Sequence, residues 1–421
     1  MYFLYSLILY LSVPPVLLRL LWLGRRDPAY LERWRERFGY CRPLSGDAPV
    51  IWIHAVSVGE VQAAQPLAAQ LLRQYPGHRL LFSTVTPSGA RRVQQLFNGG
   101  VEHRYFPYDL PGAVARFLSR MRPVLVIVME TEIWPNLYRR CRRRGIPVVL
   151  VNARLSEQSW RGYRRFLPLA GTTLRCLSLI AAQSRADADR FLSLGAAPEA
   201  VKVTGNLKFD VKQPHSVIEA GEVMRRFFSV NRPIWIAAST HEGEEETVLD
   251  AFARVLRKHG DCLLILAPRH PERALGVVEL ARRHGFQPIR HSDRGGYSAG
   301  TRVYVLDTLG ELPVFYAASD VSFVGGSLVP AGGHNLLEPA ALGVPVISGP
   351  HLYNFAGTAD LLGDAGALYR VSTAAELASR VDCLLQDANL RHGMGEKGRQ
   401  AVLANQGTLH RLLDTLQPVF P

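Results

Sequence analysis

The sequence predicts an α/β protein with two Rossmann-like, doubly wound domains that follow an N-terminal membrane-anchor helix. Three observations support this fold class. The chain has 421 residues, and a single hydrophobic core stops growing at about 250–300 residues, so two domains are expected. Short apolar runs alternate with amphipathic segments through both halves, as in parallel sheets whose strands are joined by helices. Residues 2–18 carry no charged side chain.

The apolar runs predict the strands, and helical spacing between them, as in Val61–Gln74 and Glu244–His259, predicts the helices. The strands predicted in the first half are Val50–Ile53, Leu80–Thr84, Val124–Val128, Val148–Val151, Leu179–Ala182 and Val201–Val203. Those predicted in the second half are Ile234–Ala238, Leu263–Ala267, Val303–Leu306, Val321–Val324 and Val344–Ser348.

The polar stretch Asp210–Ile218, which contains Pro214, is the predicted linker between the domains. Residues 1–24 then form the membrane anchor, residues 25–212 an N-terminal domain and residues 213–421 a C-terminal domain. The last helix belongs either to the C-terminal domain or packs back on the N-terminal one.

The N-terminal segment predicts an uncleaved membrane anchor. With residues 20–23 included, the apolar stretch reaches the roughly 20 residues that a helix needs to cross a bilayer, with a kink at Pro14-Pro15. Arg25 and Arg26 follow this segment and no basic residue precedes it. The positive-inside rule therefore places the body of the protein on the cytoplasmic side of the membrane. The alternative is a buried helix of a soluble protein.

Charge and cysteine content limit the function classes. Residues 1–210 carry 29 Lys and Arg against 14 Asp and Glu, in a chain whose formal net charge is +13. A basic half fits an anionic partner such as nucleic acid, anionic lipid or an acidic substrate, although general solvation explains the asymmetry equally well. The five cysteines are widely spaced. They indicate neither a disulfide framework nor a zinc site, and so predict a reducing compartment.

Polar side chains follow nearly every predicted strand, and ligands of open parallel sheets bind beyond the carboxyl ends of the strands. His54–Glu60 follows the first strand, and Glu130–Asn136 follows the Val124 strand. Pro268–His270 and Gly332–Glu338 follow strands of the second half. If both sheets direct these edges at a central cleft, a donor on one wall meets an acceptor on the other. That is the GT-B arrangement of many nucleotide-sugar transferases.

Each of these signals has an alternative explanation. The Gly-Gly-His-Asn run suits phosphate binding, because free N–H groups at a helix N-terminus attract anions, but it is also an ordinary tight turn. Glu338 is either a ligand for ribose hydroxyls or a partner of the helix dipole. Arg269 either binds phosphate or forms a salt bridge with a neighbouring loop. The run Arg139–Arg144 is either a solvated helix face or a contact for anionic lipid.

Motifs spread over nearly the whole chain occur in the order and at the spacing of one family. They are Trp34–Gly39, His54–Glu60, Phe106–Asp109, Met129–Asn136, Val151–Ser156, Gly205–Asp210, Ser239–Glu244, Ala267–Arg273, Asp307–Leu312, Phe323–Leu328, Gly332–Pro339 and Gly349–His351. In these motifs the sequence resembles the 3-deoxy-D-manno-octulosonic acid (Kdo) transferases of lipopolysaccharide synthesis.

The resemblance implies an inverting glycosyltransferase that transfers Kdo from CMP-Kdo to the lipid A precursor. It assigns the general base to Glu60, and stabilisation of the transition state to Glu130 and Lys208. A helix N-terminus lowers the pKa of a carboxylate, so we expect Glu60 to be ionised at neutral pH. The alternative role of Glu60 is a helix cap, and that of Glu130 is a buried ion pair under the sheet edge.

The resemblance also implies a nucleotide site. Its residues are Pro268, Arg269, Leu309, Gly310, Glu311, Asn335, Leu336, Leu337 and Glu338. In this assignment Arg269 and the helix start at Asn335 contact phosphate, Glu338 takes the ribose hydroxyls, and Glu311 lies near the base. No metal or cofactor is implied beyond the CMP-Kdo donor. The expected partners are the donor, the lipid acceptor and the membrane, but not nucleic acid.

Three alternatives stay open at this point. A sugar-nucleotide epimerase shares the predicted architecture, but the apolar N-terminus and the basic first half count against it. A non-enzymatic membrane adaptor that binds anionic lipid leaves the polar strand ends unexplained. If the protein is a transferase, Glu36 either shapes the acceptor site or forms an ion pair with Arg33 or Arg37.

Overall fold

The computed structural model describes residues 1–210 and 215–420. The chain divides into two compact units. The first unit comprises Met1–Asp210 together with Gln406–Pro421, and the second comprises Val211–Asn405. The predicted boundary between residues 212 and 213 lies outside the described residues, as does Pro214 of the predicted linker. The helix near the C-terminus, Thr408–Leu416, belongs to the first unit.

Each unit is built around one parallel sheet of seven strands. The strands of the first unit are β1 (Val50–His54), β2 (Arg79–Thr84), β3 (Glu102–Tyr105), β4 (Pro123–Met129), β5 (Val148–Ala153), β6 (Leu179–Ala182) and β7 (Val201–Val203). Those of the second unit are β8 (Ile234–Thr240), β9 (Leu263–Pro268), β10 (Ile289–Arg290), β11 (Val303–Val305), β12 (Val321–Val324), β13 (Val346–Ser348) and β14 (Leu368–Arg370). This confirms the predicted fold class of two doubly wound α/β sheets.

Helices connect the strands. In the first unit they are α1 (Tyr2–Leu11), α2 (Val13–Arg26), α3 (Val58–Gln74), α4 (Pro87–Phe97), α5 (Pro111–Met121), α6 (Pro135–Arg143), α7 (Glu157–Arg164), α8 (Leu167–Leu174), α9 (Arg185–Ser193) and α18 (Thr408–Leu416). In the second unit they are α10 (His215–Phe228), α11 (Glu244–Leu256), α12 (Ala274–Arg283), α13 (Leu312–Ala317), α14 (Leu337–Ala341), α15 (Ala356–Asp364), α16 (Ala374–Gln386) and α17 (Ala388–Ala404). Short 3₁₀ helices include Trp34–Phe38 and Leu207–Phe209.

The strand order fixes where polar loops meet. The first sheet runs β3-β2-β1-β4-β5-β6-β7, and the second runs β10-β11-β9-β8-β12-β13-β14. In each sheet the chain winds outward in one direction and then returns to the middle. The point of return lies between β1 and β4 in the first sheet and between β8 and β12 in the second. Ligands of doubly wound sheets bind at such switch points, beyond the carboxyl ends of the two central strands.

Three strands, β3, β10 and β14, were not predicted, and all three lie at sheet edges. Central strands are apolar on both faces because both faces are covered. In β1, for example, Trp52 packs against Phe117 on one face, while Ile53 belongs to the core on the other face. An edge strand such as β3, whose sequence is Glu-His-Arg-Tyr, has no apolar run to reveal it.

The N-terminal segment forms two helices instead of the single anchor helix that the sequence predicted. Among the described residues, no single helix combines the length and apolar composition needed to cross a bilayer, whereas α1 and α2 satisfy both criteria as a pair bent by 45°. The break falls at Ser12, directly before the predicted kink at Pro14-Pro15. The two prolines occupy the first turn of α2, where a missing N–H group has no helical partner to lose.

One face of α1 is bonded to the body of the first unit. The Tyr5 hydroxyl donates to the Asp109 carboxylate at 3.0 Å, and Ser6 Oγ donates to Asn136 Oδ1 at 3.1 Å. The opposite face is apolar and exposed, with Phe3 82% and Leu11 70% accessible. The helix is therefore held against the protein along one side and presents an unpartnered apolar surface along the other.

A single buried carboxylate joins the two loops at the switch point of the second sheet. Glu244, at the start of α11, is fully buried. Its Oε2 accepts the N–H groups of His241 at 2.9 Å and Gly326 at 2.6 Å, and its Oε1 accepts those of Ser327 at 2.9 Å and Leu328 at 2.8 Å. The loop after β8 and the loop after β12 are thus fixed relative to each other.

Replacing this carboxylate should destabilise the second unit strongly. Glu244→Ala leaves four backbone N–H groups without their acceptor, and each unsatisfied buried donor costs about 1–3 kcal/mol. We expect the free energy of unfolding in urea to fall by at least about 3 kcal/mol. Glu246→Ala, at an exposed position of the same helix, is the control and should change stability by less than about 0.5 kcal/mol. Similar stability of the two variants would contradict this account of the loops.

Candidate active site

Glu60 lies at the switch point of the first sheet, in the first turn of the helix that follows β1. Ser57 caps α3, since its Oγ accepts the Glu60 N–H at 3.3 Å. The Glu60 side chain turns back toward the helix start, where Oε2 accepts the Val56 N–H at 2.8 Å and Oε1 accepts the Ser57 hydroxyl at 3.0 Å. This is a variant of the capping box in which the carboxylate accepts the N–H of the residue before the N-cap, so the alternative role of Glu60 as a helix cap is present in its geometry.

The expected lowering of the pKa of Glu60 is wrong in direction. Burial raises the pKa of this carboxyl to about 7, and the nearby Glu130 carboxylate adds to the increase. The Val56 N–H, the Ser57 hydroxyl and the Lys208 ammonium group act in the opposite direction but do not outweigh burial. The sequence reveals the helix start but not the loss of water around the side chain. Glu60 consequently changes its protonation state close to neutral pH.

Glu130 and Lys208 form an ion pair in the same unit. Lys208 Nζ lies 3.3 Å from Glu130 Oε1, and both side chains are partly exposed. Glu130 directly follows β4 and has a φ of 57°, which is unusual for a residue with a side chain. Strained residues of this kind persist only where the surrounding structure enforces them, and they concentrate at functional sites.

Two asparagines place Lys208 beside Glu130. Asn152 Oδ1 accepts the Leu207 N–H at 3.0 Å, which ties the loop after β7 to the end of β5. Asn206 Oδ1 accepts the Lys208 N–H at 3.0 Å and caps the short 3₁₀ helix that carries the lysine. The predicted catalytic residues Glu60, Glu130 and Lys208 are therefore brought together at the carboxyl edge of one sheet.

Glu132 is a third carboxylate of this cluster, to which the sequence analysis gave no role. Burial raises its pKa to about 7, and the charges of Glu60 and Glu130 contribute. Its position two residues after Glu130, at the end of a buried strand, was the only sequence signal for it. Three carboxyl groups and one ammonium group thus occupy the switch point, and two of the carboxyl groups titrate near neutrality.

Glu36, by contrast, has a structural role. Arg33 donates to both of its carboxylate oxygens, at 3.0 and 2.8 Å, and the Tyr105 N–H donates to Oε2 at 2.8 Å. This carboxylate joins the 3₁₀ helix at Trp34–Phe38 to the edge strand β3. Of the two alternatives for Glu36, the ion pair with Arg33 is the one observed.

In the second unit, the predicted nucleotide-binding residues fall into two groups. Arg269 follows Pro268, the last residue of β9, and its side chain is exposed. Asn335 Nδ2 donates to Glu338 Oε1 at 3.0 Å, and Asn335 Oδ1 accepts the Leu337 N–H at 3.1 Å. Burial raises the pKa of Glu338, against the effects of Asn335 and the Arg269 charge. The Arg269 charge therefore lowers the pKa of Glu338, although burial outweighs it. Leu336 and Leu337 are buried.

The second group is Leu309, Gly310 and Glu311, in the turn between β11 and α13. Gly310 has a φ of 88°, and Leu309 is exposed. The Glu311 carboxylate accepts the Thr308 hydroxyl and lies 3.3 Å from His291 Nε2. These contacts occupy part of the Glu311 carboxylate. The exposed surface of this turn comes from Leu309 and the adjacent backbone.

Family models match most of the chain. The model described as 3-Deoxy-D-manno-octulosonic-acid transferase (kdotransferase) matches residues 32–211, and that of the Glycosyl transferases group 1 matches residues 240–401. Two solved structures share the fold. UDP-GlcNAc 2-epimerase from Neisseria meningitidis, bound to UDP-GlcNAc, has a TM-score of 0.59 at 14% identity and covers 88% of this chain and 100% of that one. A glycosyltransferase from Rickettsia africae has a TM-score of 0.56 at 15% identity and covers 89% and 99%.

At these identities the two structures show the GT-B-like fold alone, which glycosyltransferases and epimerases have in common. A sequence relative separates the two activities. A 3-deoxy-D-manno-octulosonic acid transferase from Haemophilus influenzae is 40% identical over 422 residues, covering 99% of this chain and 98% of the relative. With that identity over nearly its whole length, the chain is a glycosyltransferase and belongs to the 3-deoxy-D-manno-octulosonic acid transferase family.

Proposed function

We propose that this protein transfers Kdo from CMP-Kdo to a lipid A precursor in lipopolysaccharide core synthesis, with inversion at the anomeric carbon. Membership of the family supports the sugar and the reaction type. The observation that carries the mechanism is the Glu60 carboxyl, whose pKa of about 7 and position beside Glu130 and Lys208 suit a general base.

In this mechanism the oxygen of an acceptor hydroxyl attacks the anomeric carbon while Glu60 takes the hydroxyl proton. The bond between that carbon and the phosphate oxygen breaks, and its electron pair leaves with cytidylate. A base whose pKa lies near the operating pH is both available in its ionised form and strong enough to accept the proton. Glu60 meets this condition because burial opposes the effect of the helix N-terminus.

Lys208 and Glu130 supply the charge around the reaction. The Lys208 ammonium can meet the donor carboxylate or the departing phosphate, where negative charge is present or develops. Glu130 holds that ammonium through the 3.3 Å ion pair. Glu130 also raises the pKa of Glu60, so it strengthens the base while it orients the cation.

On this proposal the first unit binds the acceptor and the second binds the donor nucleotide. The exposed Arg269 side chain suits a phosphate, and the half-buried Glu338 carboxyl, oriented by Asn335, suits ribose hydroxyls. The turn at Leu309, Gly310 and Glu311 is assigned to the cytosine. The scheme uses no metal ion.

We assign α1 and α2 to association with the cytoplasmic face of the inner membrane. The inner face of α1 is bonded to the protein, so the exposed apolar face is the part available to lipid. Beside it, Arg139, Arg140 and Arg143 line a cavity of about 380 Å³ together with α1 residues. A helix with an apolar outer face and neighbouring arginines is typical of attachment in the plane of an anionic membrane.

The activity is tested by incubating the protein with CMP-Kdo and a lipid A precursor and weighing the lipid product by mass spectrometry. A mass increase equal to one or more Kdo residues, dependent on both substrates, is expected. Conversion of the sugar nucleotide without acceptor would instead support an epimerase. Absence of both turnover and CMP binding would support the membrane adaptor.

Glu60→Gln should remove the base but keep the fold. We expect kcat to fall by at least about 100-fold, with CMP affinity measured by calorimetry unchanged. Glu376→Gln is a matched control, because Glu376 forms the same capping box at the start of α16 but is exposed. It makes the same chemical change at an equivalent helix start and should not lose turnover. Near-normal kcat in Glu60→Gln would refute the role of Glu60.

The pH dependence of kcat/KM should report Glu60. Only the ionised carboxylate accepts a proton, so kcat/KM should rise about tenfold per pH unit below pH 7 and level off above it. Lys208→Met removes a charge that lowers the pKa of Glu60, and should move this rising limb of the pH profile to higher pH. Glu130→Gln removes a charge that raises it, and should move the limb to lower pH. Lys202→Met, at an exposed position, should leave the limb in place, and shifts of the opposite sign would contradict the assignment.

The apolar face of α1 should determine membrane binding. Replacing Phe3 and Leu11 by Glu introduces charges on that face without touching the contacts of Tyr5 and Ser6. We expect most of the variant protein to stay in the soluble fraction when vesicles that contain anionic phospholipid are floated. Leu275→Glu, at an exposed position of α12, should float like the wild type. Unchanged flotation of the Phe3 and Leu11 variant would exclude this surface as the attachment site.

A further inference from the structure

Two histidine side chains meet at the switch point of the second sheet. His241 is the first residue after β8, and His334 lies in the loop between β12 and α14. The two Nε2 atoms are 2.8 Å apart, and the planes of the rings differ by 9°. Two imidazole nitrogens at this distance must share one proton, with one ring donating and the other accepting. The sequence analysis assigned neither histidine.

The backbone around this pair is built to accommodate it. A side chain at Gly326 would place its Cβ 2.8 Å from His334 Cδ2 and 3.5 Å from His241 Cδ2, and Gly326 also has a φ of 66°. The Gly333 N–H donates to the Gly326 carbonyl at 2.7 Å, which closes the loop that carries His334. Glu244 holds the His241 N–H at 2.9 Å. Both rings are only half-buried, so a ligand can reach them.

Two guanidinium groups and one further imidazole face the pair. His270, Arg269 and Arg273 follow β9, and the His270 ring centroid lies 6.2 Å from that of His241. The Glu244 carboxylate on α11 is the opposing charge, but its oxygens accept four backbone N–H groups. Arg273 is paired with Glu245 at 2.8 Å. The surroundings therefore offer positive charge and hydrogen-bond donors to an incoming anion.

Burial and these neighbouring cations keep both rings neutral in the free protein. They lower the pKa of His241, and they lower that of His334 to about 4. An anion placed beside the rings reverses this balance, because it favours the charged imidazolium and offsets the neighbouring positive charges. Binding of an anion is then coupled to uptake of a proton.

We propose that the His241–His334 pair, together with Arg269, binds an anionic oxygen group of the sugar-nucleotide donor and takes up one proton from solvent when that group binds. The proton resides on the imidazole pair while the anion is present, so the charge of the pair becomes positive. That charge stabilises the bound anion, and the proton returns to solvent when the anion dissociates. This inference rests on the proposed function, because it takes the donor to be CMP-Kdo.

The donor has two anionic groups that match this chemistry, the phosphate and the sugar carboxylate. Three probes separate them: cytidine has neither group, CMP has the phosphate, and free Kdo has the carboxylate. Isothermal titration calorimetry at pH 7 in two buffers of different ionisation enthalpy measures the protons taken up with each probe. The second pKa of the CMP phosphate itself is near 6, and a cationic site lowers it. The phosphate therefore releases protons on binding, which is opposite in sign to the uptake expected of the histidine pair.

We expect the wild type to take up about one proton more than His334→Asn on binding CMP or Kdo, and no proton with cytidine. The affinity of His334→Asn for the same probe should be about tenfold lower. His241→Asn should behave alike and serves as a second variant if the first does not fold. His284→Asn, at the end of α12 away from the pair, should match the wild type.

Equal proton uptake by the wild type and both variants, for every probe that binds, would overturn the inference while leaving the proposed function intact. Failure of the wild type to bind CMP at all would overturn the proposed function, and this inference with it. An uptake confined to CMP assigns the pair to the phosphate, and one confined to Kdo assigns it to the carboxylate. Either result supports the proposal.

Discussion

The loops that carry the candidate site depend on one kind of interaction, in which a carboxylate accepts backbone N–H groups beyond the ends of the buried strands. Such loops cannot pair their N–H groups with a neighbouring strand, and each buried N–H without an acceptor is costly. Glu244 serves four of them in the second unit. In the first unit Asp109 accepts the N–H groups of Asn136 and Leu137, and Asp210 accepts those of Gly407 and Thr408 at the start of α18. These carboxylates hold neighbouring loops and helix starts together.

Glu60 shows how the same interaction can serve both structure and chemistry. Its contact with the backbone is like that of Glu376, and at Glu60 burial raises the pKa of the carboxyl to about 7. The cap orients the carboxylate toward the switch point, and the neighbouring Glu130 and Lys208 adjust its proton affinity in opposite directions. Helix capping and general-base catalysis are therefore compatible roles of one side chain, and the protein needs the first to position the second.

Much of the fold could be predicted from the sequence because buried parallel strands are apolar on both faces. The predicted strands all occur, whereas the edge strands β3, β10 and β14 have no such signal. The N-terminal anchor was predicted as one helix with a kink at Pro14-Pro15, because its apolar composition is nearly continuous. The contacts of Tyr5 and Ser6 with the first unit depend on residues more than a hundred positions away.

At the candidate site, motif resemblance selected residues that the strand order then brings together, as with Glu60, Glu130 and Lys208. The resemblance could not supply the burial of each residue or its contacts with other loops. The helix start at Glu60 is visible in the sequence and predicts a lowered pKa, but burial is not visible and reverses the direction. Glu132, Glu244 and the His241–His334 pair were missed for a related reason, since their importance comes from contacts between loops that are distant in the chain.

The central claim is that Glu60 titrates near neutral pH and so can act as the base. The most direct measurement is a carbon-13 NMR titration of the glutamate side-chain carboxyl groups, with the Glu60 signal identified by its absence in Glu60→Gln. The account predicts a midpoint near pH 7 for that signal. A midpoint near 4.5, the ordinary value for a glutamate, would contradict it.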